Sequence, residues 1–169
     1  AGQDHDDDGP SPGDQIEVCP LANVLVQDVA LRIARFRGGA LWIDYGDDVA
    51  KENSLRGFRA HKEVDVLSSP GEVDLTADVN FGSLRRTVEA MKNLGVACHG
   101  PVPQSEFLAR LGIQDRLVAL IEDDRTTDEQ AEVLFESFER LMLEDQMGSR
   151  YKVLSIVDAK QPVPPNGFP

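Results

Sequence analysis

The chain has 169 residues, of which 41% are hydrophobic and 28% charged, enough for a single domain with a buried core and no need of disulfide bonds. Seventeen Lys and Arg against thirty Asp and Glu give a net charge of −13, which argues against general binding to nucleic acid or to an anionic membrane surface. Cys19 and Cys98 lack the spacing of a metal site, and no apolar run approaches the roughly 18 residues of a membrane span. The composition therefore predicts one globular domain with no structural metal and no membrane span.

The acidic residues are concentrated in two segments. Residues 1–20 hold six acids and no Lys or Arg, and residues 122–145 hold ten acids and two bases. Such patches can bind a basic partner, but a solvated tail and a solvated helix face explain the same pattern. Residues 1–15 are rich in Asp, Gly and Pro and are predicted to be disordered, because they hold too few apolar groups to offset the entropy of ordering them.

A helix and a strand open the ordered part of the chain. Pro20 is favoured in a first helical turn, and apolar residues recur at helical spacing until Gly38 and Gly39 end the pattern. We predict an amphipathic helix over about residues 20–37, with an inner face formed by Leu21, Val24, Leu25, Val29, Ile33 and Phe36. The short apolar run at residues 40–44 predicts a buried strand that opens into a loop.

The middle of the chain is predicted to be a loop followed by a helix and a strand. Residues 46–79 show no sustained period, so we predict a long ordered loop with a short strand from Val64 to Leu67. Asn80 can cap a helix that ends near Gly95, and residues 96–102 predict another strand. A strand, a helix and a second strand in this order predict parallel strands joined by a crossover.

The last third of the chain is predicted to be mainly helical. Ser105 can cap a short helix, a second helix covers residues 113–121, and Thr127 with Gln130 forms a capping box for a third. The inner face of the third helix would be formed by Ala131, Leu134, Phe135, Phe138, Leu141 and Met142. Residues 151–158 predict the last strand, and residues 160–169 a Pro-rich extended tail.

No standard nucleotide-binding, hydrolase or zinc motif occurs in the chain, so the candidate functional residues come from weaker features. Asp44 ends the predicted strand at residues 40–44 and Tyr45 follows it, and open α/β sheets place their ligands at the carboxyl ends of strands. The structural alternative is that these residues only terminate the strand.

Two further features lie in the predicted loop. His61 stands in the basic stretch 56–62 and can position a carboxylate or transfer a proton, unless the stretch is simply solvated. Residues 70–81 place three acids, including Asp74 and Asp78, before a helix. These acids can hold a guanidinium or cap the helix, and capping accounts for only some of them.

Several short motifs occur together in the order of one protein family. They are Ile16-Glu17-Val18-Cys19-Pro20, the stretch from Gly39 to Gly46, Leu55-Arg56-Gly57-Phe58 with His61, the stretch from Pro70 to Phe81, Gly100-Pro101-Val102 with Gln104 and Phe107-Leu108, Leu111-Gly112-Ile113, and Met147-Gly148. Together they resemble the MidA-like protein arginine methyltransferases, which include the mitochondrial factor for assembly of respiratory complex I. The resemblance covers about residues 16–158, and Arg56-Gly57-Phe58 looks more like the mitochondrial members than the bacterial ones.

This resemblance implies an α/β fold that is the carboxyl-terminal half of a class I, Rossmann-like methyltransferase dependent on S-adenosylmethionine. Residues 16–159 would form a partial methyltransferase domain whose three main strands, with flanking helices, match the fifth, sixth and seventh strands of that fold. The last strand would run antiparallel between its neighbours. The family's glycine-rich loop and ribose-binding acid belong to the amino-terminal half, so the cofactor-binding residues are expected there. We therefore expect the isolated chain not to bind the cofactor, and the strand at residues 40–44 to have an uncovered edge.

The resemblance also implies an activity, a partner and a compartment. The parent protein would dimethylate an arginine of a complex I core subunit in the mitochondrion, although no targeting sequence is present in this chain. The catalytic candidates are Asp44, His61 and Asp74, and the substrate-binding candidates are Tyr45, Thr76 and Asp78. One alternative is a non-catalytic protein-binding or assembly module that lacks the cofactor site. Another is an α/β domain whose motifs match by convergence, which the number and order of the matches disfavour.

Overall fold

The computed structural model describes residues 17–161 and 163–169, so the segment predicted to be disordered, residues 1–15, lies outside the described residues. The elements in chain order are α1 (Pro20–Phe36), β1 (Gly39–Asp47), β2 (Arg56–Arg59), β3 (Lys62–Val64), β4 (Asp74–Thr76), β5 (Val79–Asn80), α2 (Phe81–Glu89), a 3₁₀ helix (Lys92–Leu94), β6 (Val96–Pro103), α3 (Gln104–Arg110), α4 (Ile113–Ile121), α5 (Asp128–Met142) and β7 (Tyr151–Asp158). They form an α/β domain with two separate sheets.

The larger sheet has the strand order β5-β1-β7-β6. Strand β7 is antiparallel to both β1 and β6, so β1 and β6 are parallel to each other. Strand β5 pairs in parallel with only the last two residues of β1, at Gly46 and Asp47. The predicted parallel pair, with the last strand antiparallel between its neighbours, is confirmed.

The core lies on both faces of this sheet, and β7 contributes to both. Leu154 and Ile156 pack on one face with α1, α2 and β6, in a cluster that includes Phe81. Val153 points to the other face, where it packs with Val102, Phe107 and Phe168. A strand buried on both faces has a nearly continuous apolar sequence, which is why residues 153–157, apolar apart from Ser155, are recognisable as a strand.

Helix α1 has the predicted bounds but buries a different face from the predicted one. Its buried residues are Val26, Ala30 and Ile33, whereas Leu21 is 75% exposed and Leu25 56% exposed. The helix is apolar on more than one side, and small side chains such as Ala30 allow a closer approach to the core than leucines do. The predicted inner face was therefore wrong except at Ile33 and the half-buried Val29.

The predicted long loop at residues 46–79 is interrupted by three short strands, which form the smaller sheet with the order β3-β2-β4. The predicted strand at residues 64–67 overlaps β3 only at Val64. Strands β2 and β3 are joined by Ala60 and His61, which both have left-handed backbone angles (φ 50° and 60°). Two consecutive residues of this kind make a tight hairpin, but they lack the Asn-Gly sequence that usually signals one.

Two of the three predicted helix caps are confirmed. The Asn80 side chain accepts a hydrogen bond from the backbone N–H of Ser83, and Thr127 with Gln130 forms the capping box of α5. The predicted cap at Ser105 was wrong, because α3 begins two residues earlier than that cap requires, at Gln104, with Pro103 at the N-cap position. Ser105 therefore lies inside the helix, and its backbone N–H donates to the carbonyl oxygen of Gly148.

The end of the chain does not extend away from the domain, as an extended tail would. Phe168 is buried, with its ring centroid 5.4 Å from that of Phe107 and 6.2 Å from that of His99. The described part of the Pro-rich tail thus closes the second core cluster.

Strand β1 has an uncovered edge along most of its length, as expected. Within the described residues, β5 covers only Gly46 and Asp47, and the side chains of Leu41 and Ile43 are 49% and 48% exposed.

The 169-residue protein is expected to self-associate, because an open apolar strand edge can pair with a strand of another chain. Sedimentation velocity would detect this association. Ile43→Lys should reduce the association because edge charges block pairing, whereas Leu111→Lys, at a similarly exposed site elsewhere, should not. A monomer at high concentration would contradict this expectation.

The two cysteines are predicted to differ in reactivity. Burial and the nearby Glu89 carboxylate raise the pKa of Cys98 to about 12, whereas Cys19 is exposed. Because the thiolate is the reactive form, iodoacetamide at neutral pH should label Cys19 readily and Cys98 only after unfolding. Mass spectrometry of the labelled peptides checks this, and rapid labelling of Cys98 in the folded protein would contradict it.

Candidate functional site

The carboxyl end of β1 is the centre of the polar region. Asp44 and Tyr45 both lie within the strand, paired with Lys152 and Tyr151 of β7. The strand continues to Asp47, so Tyr45 does not lie in a loop beyond it as predicted. The Tyr45 and Tyr151 rings meet edge to face at a centroid distance of 4.8 Å. Burial and the proximity of Tyr45 raise the pKa of Tyr151. Asp44 is exposed, and its carboxylate accepts a hydrogen bond from the Tyr45 N–H.

Arg56 connects the smaller sheet to Tyr45. Its guanidinium carbon lies 5.9 Å from the centre of the Tyr45 ring, and its Nη2 donates to Asp78 Oδ1 at 3.0 Å. Lys51 Nζ lies 3.4 Å from the other oxygen of Asp78, whose side chain is only 9% exposed. The backbone of Arg56 pairs with Thr76 across β2 and β4. The three substrate-binding candidates, Tyr45, Thr76 and Asp78, are therefore all brought to Arg56.

A second carboxylate, Glu17, fixes the segment that leads into Arg56. Glu17 Oε1 accepts from the backbone N–H groups of Ser54 and Leu55 at 2.7 and 3.0 Å, and the Ser54 hydroxyl donates to Glu17 Oε2. These hydrogen bonds, that of the hydroxyl most of all, lower the pKa of Glu17, so it is ionised at neutral pH. The same hydroxyl accepts from the Asp78 N–H at 2.8 Å.

A polar pocket of about 330 Å³ opens beside β1, lined by Asp47, Asp48, Arg85, Lys152 and by Gly100 and Pro101 of β6. Arg85 Nη2 donates to both oxygens of Asp48, at 2.9 and 2.7 Å, so the Asp48 carboxylate already has a cationic partner. Asp47 accepts from the Asp48 N–H, and this bond together with the charges of Lys152 and Lys51 lowers its pKa. The pocket thus holds an ionised carboxylate with lysines near it.

The remaining candidates lie on the smaller sheet, away from this network. His61 is exposed in the β2–β3 turn, and Asp74 is exposed at the start of β4, opposite Phe58. Within the described residues, neither His61 nor Asp74 forms a side-chain hydrogen bond or ion pair, and the buried Thr76 hydroxyl has no partner. The structure does not bring Asp44, His61 and Asp74 into contact with one another.

The three acids of the 70–81 stretch differ in what they bind. Glu72 pairs with Arg59 at 3.0 Å, and Asp78 pairs with Arg56 and Lys51. In the part of the chain that the structure describes, only Asp74 of the three is left without a cation. Two of the three acids thus pair with arginines of the chain itself, and the role of these acids toward a substrate guanidinium stays a prediction.

Four residues of the network, Glu17, Lys51, Ser54 and Arg56, were not singled out as candidates from the sequence. Glu17 and Ser54 are 37 residues apart, and Ser54 and Asp78 are 24 apart, so no local period links them. Glu17 and Arg56 each lie in a family-like motif, and this was the one signal that marked them.

The expectation that the isolated chain does not bind S-adenosylmethionine stays a prediction, and the turns of the described residues bear on it. None of the strand-to-helix turns in residues 17–161 is glycine-rich: β5 leads through Asn80 directly into α2, and β6 through Pro103 into α3. Successive backbone N–H groups at such a turn are what the class I fold uses to hold its cofactor. In the same residues, no group of three or more His, Cys, Asp or Glu side chains is placed to hold a metal ion. The described helices also include none with the length and apolar character of a membrane span.

Comparison with known proteins places this geometry in a family. The model of the S-adenosyl-L-methionine-dependent methyltransferase family matches residues 2–102. The protein arginine methyltransferase NDUFAF7, mitochondrial, of Xenopus tropicalis is 45% identical over 146 residues, which is 86% of this chain and 33% of that protein. The human protein of the same name is 39% identical over 144 residues, which is 85% of this chain and 32% of that protein. The chain therefore spans about a third of the length of the curated relatives that it matches.

A solved structure supports the same relationship. A protein from Burkholderia thailandensis, crystallised with S-adenosyl-homocysteine bound, superposes with a TM-score of 0.69 at 26% identity, covering 84% of this chain and 37% of that one. The resemblance to protein arginine methyltransferases and the Rossmann-like α/β fold inferred from the motifs are confirmed. The chain belongs to the family of S-adenosyl-L-methionine-dependent methyltransferases.

Proposed function

We propose that this chain is the carboxyl-terminal part of a protein arginine N-methyltransferase of mitochondria, which dimethylates an arginine of a respiratory complex I core subunit and supports complex I assembly. The observation that carries the proposal is the similarity to mitochondrial protein arginine methyltransferases over 86% of the chain. The motif resemblance, strongest toward the mitochondrial members, supports the link to complex I.

The geometry is compatible with a guanidinium substrate. Asp48 and Asp78 are occupied by the guanidinium groups of Arg85 and Arg56 at 2.7 to 3.0 Å. The exposed carboxylates of Asp44 and Asp74 are the candidate acids left open to a substrate guanidinium. Methyl transfer to an arginine nitrogen needs acids that orient the guanidinium and stabilise its charge. S-adenosylmethionine supplies the methyl group, and the residues that bind it are proposed to lie in the part of the relatives that this chain does not span.

Each candidate has a proposed role in that reaction. Asp74 and Asp44 are proposed to orient the substrate guanidinium, because both carboxylates are exposed and ionisable, and His61 is proposed to position a carboxylate or accept a proton. Tyr45, Thr76 and Asp78 are proposed to shape the substrate-binding surface around Arg56.

The test is methylation by the full-length protein that contains this sequence. Purified protein is incubated with labelled S-adenosylmethionine and complex I core subunits, and dimethylarginine is identified by mass spectrometry. The proposal expects dimethylarginine at one site and none when that arginine is replaced by lysine. Binding to the subunit without methylation would favour the alternative, a non-catalytic assembly module.

The isolated 169-residue chain is predicted not to bind S-adenosylmethionine, because it lacks the glycine-rich turn. Isothermal titration calorimetry should show no heat of binding for the chain and clear binding for the full-length protein, which serves as the positive control. A micromolar Kd for the isolated chain would contradict the prediction.

A further inference from the structure

We propose that Glu17 and Ser54 are positioning residues of the methyl-acceptor site, which act by holding Asp78, Arg56 and Tyr45 in one arrangement. This inference rests on the proposed function and extends it to residues that none of the candidate roles includes. Its basis is a continuous chain of hydrogen bonds and contacts that joins three distant segments at one buried hydroxyl.

The hydroxyl of Ser54 is the junction. Ser54 is only 8% exposed, and its Oγ donates to Glu17 while accepting from the Asp78 backbone N–H at 2.8 Å. A buried hydroxyl that both donates and accepts has its geometry fixed from two sides. The segment before α1, the segment after β1 and the turn between β4 and β5 are thereby held at one point.

The arrangement continues from this junction to Tyr45. The carbonyl oxygen of Ser54 accepts from Arg56 Nε at 3.2 Å, and the Asp78 carboxylate binds Arg56 Nη2 at 3.0 Å. Both bonds hold the guanidinium, whose carbon lies 5.9 Å from the Tyr45 ring. The position of Arg56 against the carboxyl end of β1 therefore depends on Ser54 twice, through its own carbonyl group and through Asp78.

Glu17 fixes Ser54 in turn. Its carboxylate accepts hydrogen bonds from the backbone N–H groups of Ser54 and Leu55 and from the Ser54 hydroxyl. Both carboxylate oxygens therefore bind the same two-residue segment. A surface ion pair with one flexible partner would constrain the backbone far less than these bonds. Glu17 and Ser54 do not need to touch the substrate to affect the reaction, because displacement of a reacting group by about 1 Å can cost about 100-fold in rate.

The test uses the full-length protein and three variants: Ser54→Ala, which removes the hydroxyl; Ser54→Thr, which keeps it; and Glu17→Gln, which removes the charge. We expect Ser54→Ala and Glu17→Gln each to lower kcat by roughly 10- to 100-fold, with an unchanged KM for S-adenosylmethionine. Ser54→Thr should recover most of the rate. Since both residues act through one junction, the double variant Glu17→Gln with Ser54→Ala should be about as slow as the slower single variant.

Control measurements separate positioning from folding. Each variant is assayed at a temperature at which circular dichroism shows it to be folded, and Glu106→Gln, which breaks an exposed pair with Arg110 on α3, is the matched control expected to keep the wild-type rate. Rates that fall only in proportion to the folded fraction, or an unchanged kcat in Ser54→Ala, would overturn the positioning role while leaving the proposed function intact. A wild-type protein that binds S-adenosylmethionine but methylates no arginine would overturn both.

Discussion

Gly46→Ala is expected to destabilise the domain strongly and to disrupt the candidate site. A Cβ at Gly46 would lie 2.1 Å from the carbonyl oxygen of Val79 and 2.9 Å from its backbone nitrogen and carbon. These are backbone atoms of β5, which cannot move aside as a flexible side chain can, so the parallel pairing of β1 with β5 must open. Overpacking of this kind costs about 1–3 kcal/mol and sometimes more, and we expect the upper end here.

Gly39→Ala is the matched control, because it adds the same methyl group at the other end of the same strand. Its Cβ would meet the nearest atoms, in Ile156 and Val157, at 3.4 Å, which is the limit of ordinary contact. We expect a change in unfolding free energy within about 1 kcal/mol for Gly39→Ala. Thermal unfolding of both variants by circular dichroism checks the pair, and equal stabilities would show that the close approach of β5 to β1 does not constrain the fold.

The elements that could be predicted from sequence have local causes. Helix α1 begins at Pro20, α2 is capped by Asn80, and α5 begins with the capping box at Thr127, each within a few residues of its signal. Strand β7 was recognisable because a strand buried on both faces is nearly all apolar, and residues 153–157 are apolar apart from Ser155.

The elements that could not be predicted depend on partners distant in sequence. Strands β2, β3 and β4 are only three or four residues long, too short to show a period, and their hairpin turn uses Ala60 and His61 where Asn-Gly would be expected. The face of α1 that becomes buried is determined by how the helix packs on the sheet, and the helix is apolar on another side as well. Local patterns do not contain this information.

The same limit applies to the candidate site. Asp44, Tyr45 and Asp78 could be found because strand ends and acid-rich stretches are visible in sequence, and the structure connects Tyr45 and Asp78 through Arg56. The roles of Arg56 and Ser54 depend on contacts across 22 and 37 residues, with Asp78 and Glu17 respectively. Such contacts form only when segments distant in sequence meet in the folded chain, so no local pattern marks them.

Asp74→Asn in the full-length protein is expected to separate catalysis from folding. Within the described residues the Asp74 side chain is exposed and has no hydrogen-bond or ion-pair partner, so its replacement should change the unfolding free energy by no more than about 0.5 kcal/mol. If Asp74 orients the substrate guanidinium, the variant loses a charge-assisted bond worth about 1.5–3 kcal/mol in the transition state. The methylation rate should then fall by roughly 10- to 150-fold.

Asp78→Asn is the matched comparison, and unlike Asp74→Asn it should lower the stability of the protein clearly. The Asp78 carboxylate is largely buried and holds both Arg56 and Lys51, so its loss leaves the partly buried Arg56 guanidinium without its charged partner and should cost about 1–3 kcal/mol. Melting temperature and methylation rate are measured side by side for the two variants. Asp74 binds substrate if its variant melts like wild type and is slow. An Asp74→Asn protein with lowered stability and an undiminished rate would remove Asp74 from the site and leave it with a role in the structure of β4 alone.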